Sequence, residues 1–255
     1  MRARAGRLCD SRNVFDHVTI RSSRRDESER FYDMVLTTLG IEKTASGEHY
    51  VEWGEFSLTE ESASRPTTRN LHVAFRAESR ELVDAFWRAG IQARYRDDGA
   101  PGERPQYSPT YFGAFLLDPD GTSVEAVHHD AVDTRSQIDH LWIRVANLAA
   151  ARAFYELIAP YSLFALGDES QVRAQFAGPA ASFSLVTGTP TLNAHVAFPA
   201  EDNATVDAFH AAALGAGYRD GGEPGERSLY HPGYYSAFVL DPDGNNIEVV
   251  NHNRP

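Results

Sequence analysis

The chain is one sequence written twice. Shifted by 123 positions, its landmarks coincide: Asp16-His17 falls on Asp139-His140, Phe31-Tyr32 on Phe154-Tyr155, His72-Val73-Ala74-Phe75 on His195-Val196-Ala197-Phe198, and Asp118-Pro119-Asp120-Gly121 on Asp241-Pro242-Asp243-Gly244. Between 83–130 and 206–253, 27 of 48 positions are identical without a gap. A repeat of about 120 residues is large enough for each copy to bury a core of its own, so the chain is constrained to two copies of one fold. The register slips only in mid-copy, where Phe56-Ser57-Leu58 matches Phe183-Ser184-Leu185 at a shift of 127. The polar stretch Asp130 to Gln137 reads as the linker, which puts the domains at 14–130 and 137–253. Ahead of them, 1–13 reads as a basic, disordered tail without the apolar run of a signal peptide.

Charge narrows the partners. The chain carries 24 basic and 36 acidic side chains, a formal net charge of −12. Phosphate backbones and anionic membranes both demand a basic surface, so neither nucleic acid nor membrane is expected as a partner. No apolar stretch reaches the length of a membrane span. A single cysteine, Cys9, excludes an internal disulfide, and the expected location is cytoplasmic.

Within one copy the pattern is α+β. Phe15 to Arg21 reads as a strand, with Val18 and Ile20 on one face and Phe15, His17 and Thr19 on the other. Asp26-x-x-Glu29 has the form of a capping box, followed by Phe31, Val35 and Leu39 at helical spacing and Gly40 as the stop. Tyr50 to Thr59 and Leu71 to Arg76 read as strands, and Glu78 to Ala89 as a second helix. Tyr111 to Leu117 and Ser123 to Val127 form a hairpin around Asp118-Pro119-Asp120-Gly121. Each copy is thus two βαβββ halves, with Asn147 as the expected cap of the first helix in copy two. Helices cover one face of the sheet and leave the other concave. Whether half-sheets pair within a copy or across copies stays open.

That concave face carries the chemistry. His17 lies opposite Val18 and Ile20, His72 opposite Leu71, Val73 and Phe75, and Glu125 opposite Val124 and Ala126. His140, His195 and Glu248 repeat the arrangement. An unpaired carboxylate on a buried face is costly, whereas two neutral imidazoles and a carboxylate form a facial set for a divalent metal, with open positions for substrate and water. A histidine on a strand is more often a hydrogen-bonded structural residue; two histidines and a glutamate on one face, repeated at one spacing, favour the metal site. Ala74 and Ala197 leave room beside it.

These residues resemble the vicinal oxygen chelate superfamily, which comprises glyoxalases, bleomycin resistance proteins and extradiol dioxygenases. The resemblance spans nearly all of 14–253. Its carriers are Asp-His in the first strand, His-Val-Ala-Phe in mid-domain, and Asp-Pro-Asp-Gly followed by the final glutamate. It implies paired βαβββ halves forming a cupped sheet, one metal held by His17, His72 and Glu125, and a second by His140, His195 and Glu248. It also implies a divalent ion (Fe, Zn, Mn or Ni) and a small substrate that chelates it through adjacent oxygens, in lyase or isomerase chemistry. Glyoxalase I-like members add a fourth ligand, usually glutamate. Ser57 and Ser184 stand nearest that place, with Glu52 and Glu55 as possible substitutes in copy one. The extradiol signature expects a histidine and then a tyrosine before the final hairpin. His231 fills the first place and Phe238 the second; copy one has Ser108 and Phe115. An Fe(II) dioxygenase and a non-catalytic binding or antibiotic resistance protein are the alternatives.

Around the expected pocket, His231 is the candidate acid/base, because imidazole titrates near neutrality, and Tyr235 the catalytic tyrosine, among Tyr107, Tyr111, Tyr230 and Tyr234 as further aromatic contacts. The loops Gly99 to Pro109 and Gly222 to Pro232 read as lids or plain turns. His128, His129 and His252 read as exposed. Trp142 faces the concavity where copy one has Thr19, so the two pockets differ in shape. A fused tandem can do in one chain what single modules do as dimers, so a monomer or a homodimer is expected.

Overall fold

The computed structural model describes residues 13–130 and 136–253. Most of the expected tail, and with it Cys9, and the greater part of the expected linker lie outside the described residues. Copy one runs β1 (His17–Ser22), α1 (Arg25–Thr37), β2 (Ala45–Ser46), β3 (Tyr50–Trp53), β4 (Phe56–Glu60), then β5 (Leu71–Arg76), α2 (Arg80–Gln92), β6 (Arg96–Glu103), β7 (Phe112–Leu117) and β8 (Ser123–His128). Copy two repeats it as β9 (Ile138–Val145), α3 (Leu148–Ile158), β10 (Ala165–Glu169), β11 (Arg173–Ala177), β12 (Ser182–Thr187), β13 (His195–Pro199), α4 (Asn203–Gly215), β14 (Arg219–Glu226), β15 (Tyr235–Leu240) and β16 (Asn246–Asn251).

The strands form two mixed eight-stranded sheets, in the orders β14-β15-β16-β13-β1-β4-β3-β2 and β10-β11-β12-β9-β5-β8-β7-β6. Each sheet therefore joins the first half of one copy to the second half of the other. The seams are antiparallel: β1 meets β13 with His17 opposite Ala197 and Thr19 opposite His195, and β5 meets β9 with Ala74 opposite His140. The crossing is fastened by a pseudo-symmetric belt. Arg21 donates to the Asn193 carbonyl and Arg144 to the Asn70 carbonyl. Thr68 and Thr191 add bonds to the same two carbonyls. Asn70 and Asn193 hold φ of 59° and 61°, a left-handed conformation that asparagine tolerates better than most residues. Their amides close the belt on the Pro190 and Thr67 carbonyls.

The helices lie on the convex side over a continuous aromatic core in which Phe15, Phe183 and Phe198 meet with ring centroids 6.3 and 6.0 Å apart. Phe15 corrects the strand reading: β1 begins only at His17, so Phe15 is free of the alternation and turns into the core. Asn147 caps α3 through the Ala150 amide as expected, while Ser79 and Asp202 cap α2 and α4. The expected capping box does not form. The residue before α1 is Arg24, with no side-chain cap, and Glu29 pairs with Arg25 and Lys43 instead. The glycine-rich stretches differ from the loop reading in their first parts, because Arg96–Glu103 and Arg219–Glu226 are edge strands, each bulged twice against its neighbour, while 104–109 and 227–232 lie outside the strands. The bulges fall around Gly99 and Gly222, where the backbone leaves the regular pleat.

Candidate metal centres

The sheet registers decide which candidate ligands meet. In one sheet His17, Ala197 and Glu248 stand in a row across β1, β13 and β16, with His195 two residues along the middle strand. In the other, His140, Ala74 and Glu125 form the row, with His72 two residues from Ala74. Adjacent strands lie about 4.8 Å apart, so an alanine at the centre lets long side chains on either side lean together over it. The six residues named from the sequence thus gather into two clusters, His17–His195–Glu248 and His72–His140–Glu125. This corrects the grouping by copy, in which His17 was joined with His72 and Glu125, and His140 with His195 and Glu248. The cause is the crossed pairing: β1 is bonded to β13 and not to β5.

In the first cluster the Nε2 atoms of His17 and His195 are 3.0 Å apart, and both approach Glu248 Oε2, at 3.6 and 3.0 Å. In the second, Glu125 Oε2 lies 3.0 Å from His72 Nε2 and 3.5 Å from His140 Nε2. Metal–ligand bonds near 2.1 Å place neighbouring donor atoms about 3.0 Å apart at octahedral angles and about 3.4 Å at tetrahedral ones. Three of the observed separations, at 3.0 Å, match the octahedral value, and the other two, at 3.5 and 3.6 Å, lie slightly beyond the tetrahedral one.

Hydrogen bonds behind the clusters fix which atoms face inward. Asp16 and Asp139 accept from Nδ1 of His17 and His140, at 2.8 and 2.9 Å. Ser123 donates its hydroxyl to Asp98 at 2.7 Å and so accepts from His72 Nδ1, 3.0 Å away. The imidazole Nε2 atoms are left with lone pairs aimed at a carboxylate oxygen, an arrangement that a cation satisfies. For His195 the neighbour at Nδ1 is the Asn246 amide, whose Nδ2 stands 2.7 Å away and donates to the ring; a half-turn of that amide would put its oxygen there instead. Tyr111 and Tyr234 donate to the remaining oxygen, Oε1, of Glu125 and Glu248, at 2.6 and 2.8 Å. Only Oε2 of each carboxylate is thereby left to the cluster. Beside the first cluster, the Ser236 hydroxyl is buried without a hydrogen-bond partner, on the strand face that also carries Tyr234 and Phe238.

Electrostatics distinguish the pair. Burial pushes the Glu125 carboxyl up to about 7, against the His140 charge and the Tyr111 bond. Burial likewise pushes His72 down to about 4, with the Arg144 charge adding to it. In the first cluster burial works against Glu248, but bonding to His195 and the His17 charge outweigh it and hold the carboxyl below its usual value. Asp16 and Asp139 are buried too, yet their paired histidines, His17 with His252 and His129 with His140, hold both carboxyls well below the usual range.

The other sequence candidates divide. Tyr235 is not brought to the cluster: it shares strand parity with buried Ala237 and Val239, and its hydroxyl donates to Asp207 on α4 at 2.8 Å. Tyr234, one residue earlier, faces the cluster instead. His231 stands at the rim, its Nε2 2.8 Å from His252 Nδ1, and His252 Nε2 reaches Asp16 at 2.7 Å. His252 and His129 are therefore half-buried supports of Asp16 and Asp139, not exposed tail or linker residues. His128 likewise bonds the Ala77 carbonyl. The signal available was their fixed place after each final strand. Of the two acids weighed as a fourth ligand, Glu55 is turned to Asn13, Ser136 and the Ile138 amide. Glu52 lies across β4 from the first cluster and acts on His17 through its charge. Trp142 packs against His72 with ring centroids 5.4 Å apart and meets Tyr107 edge-on, so the second cluster has an aromatic wall where the first has Thr19 bonded to Ser57.

No protein-family model matches the sequence, and no curated protein matches it. Solved structures do. Glyoxalase I from Zea mays superposes with a TM-score of 0.66 at 19% identity, over 93% of this chain and 92% of that one. The fold is that of the vicinal oxygen chelate proteins. A putative dioxygenase from Bacillus subtilis shares it, with a TM-score of 0.62 at 12% identity over 94% of this chain and 85% of that one. At these identities the likeness carries the fold alone. Within the vicinal oxygen chelate fold, the expected cupped sheets with convex helices are present, in the two-module form. Among the described residues no helix is long and apolar enough to cross a membrane.

Proposed function

We propose that this chain is a divalent-metal-dependent enzyme that acts on a small molecule able to chelate the ion through two adjacent oxygens. The observation that carries this reading is the convergence of His17, His195 and Glu248, and of His72, His140 and Glu125, with Nε2 of each histidine and Oε2 of each glutamate directed inward. His17, His195 and Glu248 would hold one ion and His72, His140 and Glu125 another. A bound divalent ion supplies Lewis acidity toward oxyanions that develop on a chelating substrate. The protein supplies orientation. Asp16 and Asp139 fix the ring tautomers, and Tyr111 and Tyr234 hold each glutamate monodentate. His231, half-buried on the rim of the first cluster, would serve a proton-exchanging role in isomerase or lyase chemistry.

A second reading has one specific observation in its favour. Two histidines and one carboxylate on one side of the ion are the ligand set of non-haem Fe(II) oxygenases, so an Fe(II) dioxygenase is the runner-up. Phe115 and Phe238 beside the ligands lack the hydroxyl that ring cleavage would use as an acid/base. The test is reconstitution of chelator-treated protein with Zn2+, Mn2+, Ni2+ or Fe2+. Saturation at two ions per chain is expected, falling to one in His195→Ala. Absence of stoichiometric binding for all four ions would refute the metal reading. Oxygen uptake with catechols, found only after iron loading, would select the dioxygenase. Ligand binding that survives chelation would select a non-catalytic binding protein.

A further inference from the structure

Each cluster has an arginine beside it that forms no ion pair among the described residues. Arg104 follows β6 and Arg227 follows β14, at equivalent positions of the two copies. The guanidinium carbon of each lies 5.6 Å from the centroid of a phenylalanine ring, Phe115 and Phe238 respectively. Those rings in turn neighbour a cluster histidine, with Phe115 5.9 Å from His72 and Phe238 6.1 Å from His195. Each guanidinium is thus one aromatic ring away from a candidate metal centre, and the Arg104 charge reaches Glu125.

The local backbone is shaped around these side chains. A Cβ at Gly102 would come within 2.7 Å of Arg104 Nη1, and one at Gly225 within 3.3 Å of Arg227 Nη1. At Gly99 and Gly222 a Cβ would meet the phenylalanine rings at 2.8 and 3.0 Å. The hydrogen bonds of both arginines go to backbone carbonyls, from Arg104 to Glu103 and Ala100 and from Arg227 to Glu223. Among the described residues neither forms an ion pair. Both are only half-buried, which leaves the remaining N–H groups of a planar fork accessible. In a chain of net charge −12, two guanidinium groups kept clear of carboxylates beside the clusters call for an anionic counterpart.

We propose that Arg104 and Arg227 each receive a carboxylate on the substrate. The ligand lies across the phenylalanine ring, its adjacent oxygens at the cluster and its anionic end on the guanidinium. A flat fork stacked on an aromatic face is preorganised for bidentate carboxylate binding. This inference rests on the metal-site reading and narrows its substrate to carboxylate-bearing chelators.

The test compares three probes by calorimetry on the full chain: catechol, 3,4-dihydroxybenzoate and benzoate. The first two offer the same pair of oxygens and differ in one carboxylate. With Zn2+-loaded protein, 3,4-dihydroxybenzoate is expected to bind about tenfold or more tighter than catechol, since a hydrogen bond to a charged group is worth roughly that factor or more. The preference should shrink with added salt and vanish in an Arg104→Gln, Arg227→Gln double variant, be largely kept in the Lys pair, and leave metal content unchanged in all. Equal binding of the two catechols to wild-type protein, or a preference that persists in the Gln pair, would overturn the proposal and leave the arginines as hairpin braces. Catechol binding that ignores Zn2+ would contradict the metal reading itself. Benzoate affinity, lost or kept in the Gln pair, would still decide the arginines in that case.

Discussion

Replacing Tyr234 by phenylalanine removes one hydroxyl from the support of the first cluster and little else. The ring is buried, and its hydroxyl donates to Glu248 Oε1 at 2.8 Å, while Oε2 faces both histidines. Glu248 itself is almost fully buried, so water does not readily replace the lost donor. A hydrogen bond to a charged group contributes about 1.5–3 kcal/mol, and loss of a group supporting a metal ligand costs about tenfold to a hundredfold in affinity. The Tyr234→Phe protein should therefore bind one of its two ions more weakly by that factor, as read by competition with a chromophoric chelator, with the other ion unaffected. Tyr235→Phe is the matched control, because its hydroxyl serves Asp207 on the helix side, and its metal affinities should stay within about twofold of wild type, the scatter expected of a surface substitution. Unchanged affinity in Tyr234→Phe, or a larger loss in Tyr235→Phe, would refute the assignment of Tyr234 as the residue that presents the glutamate.

Two further expectations follow from the structure. Glu55 has its carboxyl pushed up to about 7 by burial, despite bonds from Ser136 and the 137–138 backbone. A raised folded value means that its stabilising contribution is complete below the ordinary carboxyl value of 4.5 and is lost as pH climbs through about 7. Glu55→Gln should therefore narrow the stability difference between pH 5 and pH 8 by about 2 kcal/mol in urea titrations, and an unchanged difference would contradict the burial argument. Trp142 packs on His72, whereas Trp53 is in the core and Trp87 on α2. Binding of Ni2+ should then quench part of the tryptophan emission, and quenching that persists in Trp142→Phe would contradict the placement of that ring beside the second cluster.

Much of this architecture was legible because strand alternation sorts side chains locally. His17 opposite Val18, and Glu125 opposite Val124 and Ala126, were enough to put the candidate ligands on one face. The partners of each ligand were not legible. The two copies are so alike that β1 is chemically as suited to β5 as to β13. The choice rests on non-local fastenings, the Arg21–Asn193 and Arg144–Asn70 bonds, which no short window of sequence contains. Tyr234 and Tyr235 are adjacent, and neighbours along a strand point to opposite faces, so the sequence expectation of Tyr235 falls on the helix side while Tyr234 meets Glu248. The glycine-rich edge strands β6 and β14 lacked the alternation that marks a strand, since their bulges interrupt it. His129 and His252 acquire meaning only through Asp139 in β9 and Asp16 just ahead of β1, neither of them on the strand that the histidine follows.

Pairing of ligands across the two copies is the claim on which the sites depend, and counting ions in paired variants tests it most directly. In His140→Ala, His195→Ala each substitution strikes a different cluster, so metal analysis should find both ions lost. In His17→Ala, His195→Ala both substitutions strike the same cluster, and one ion should remain. The reverse outcome, with one ion kept in the first variant and none in the second, would contradict the crossed assembly and restore a site within each copy.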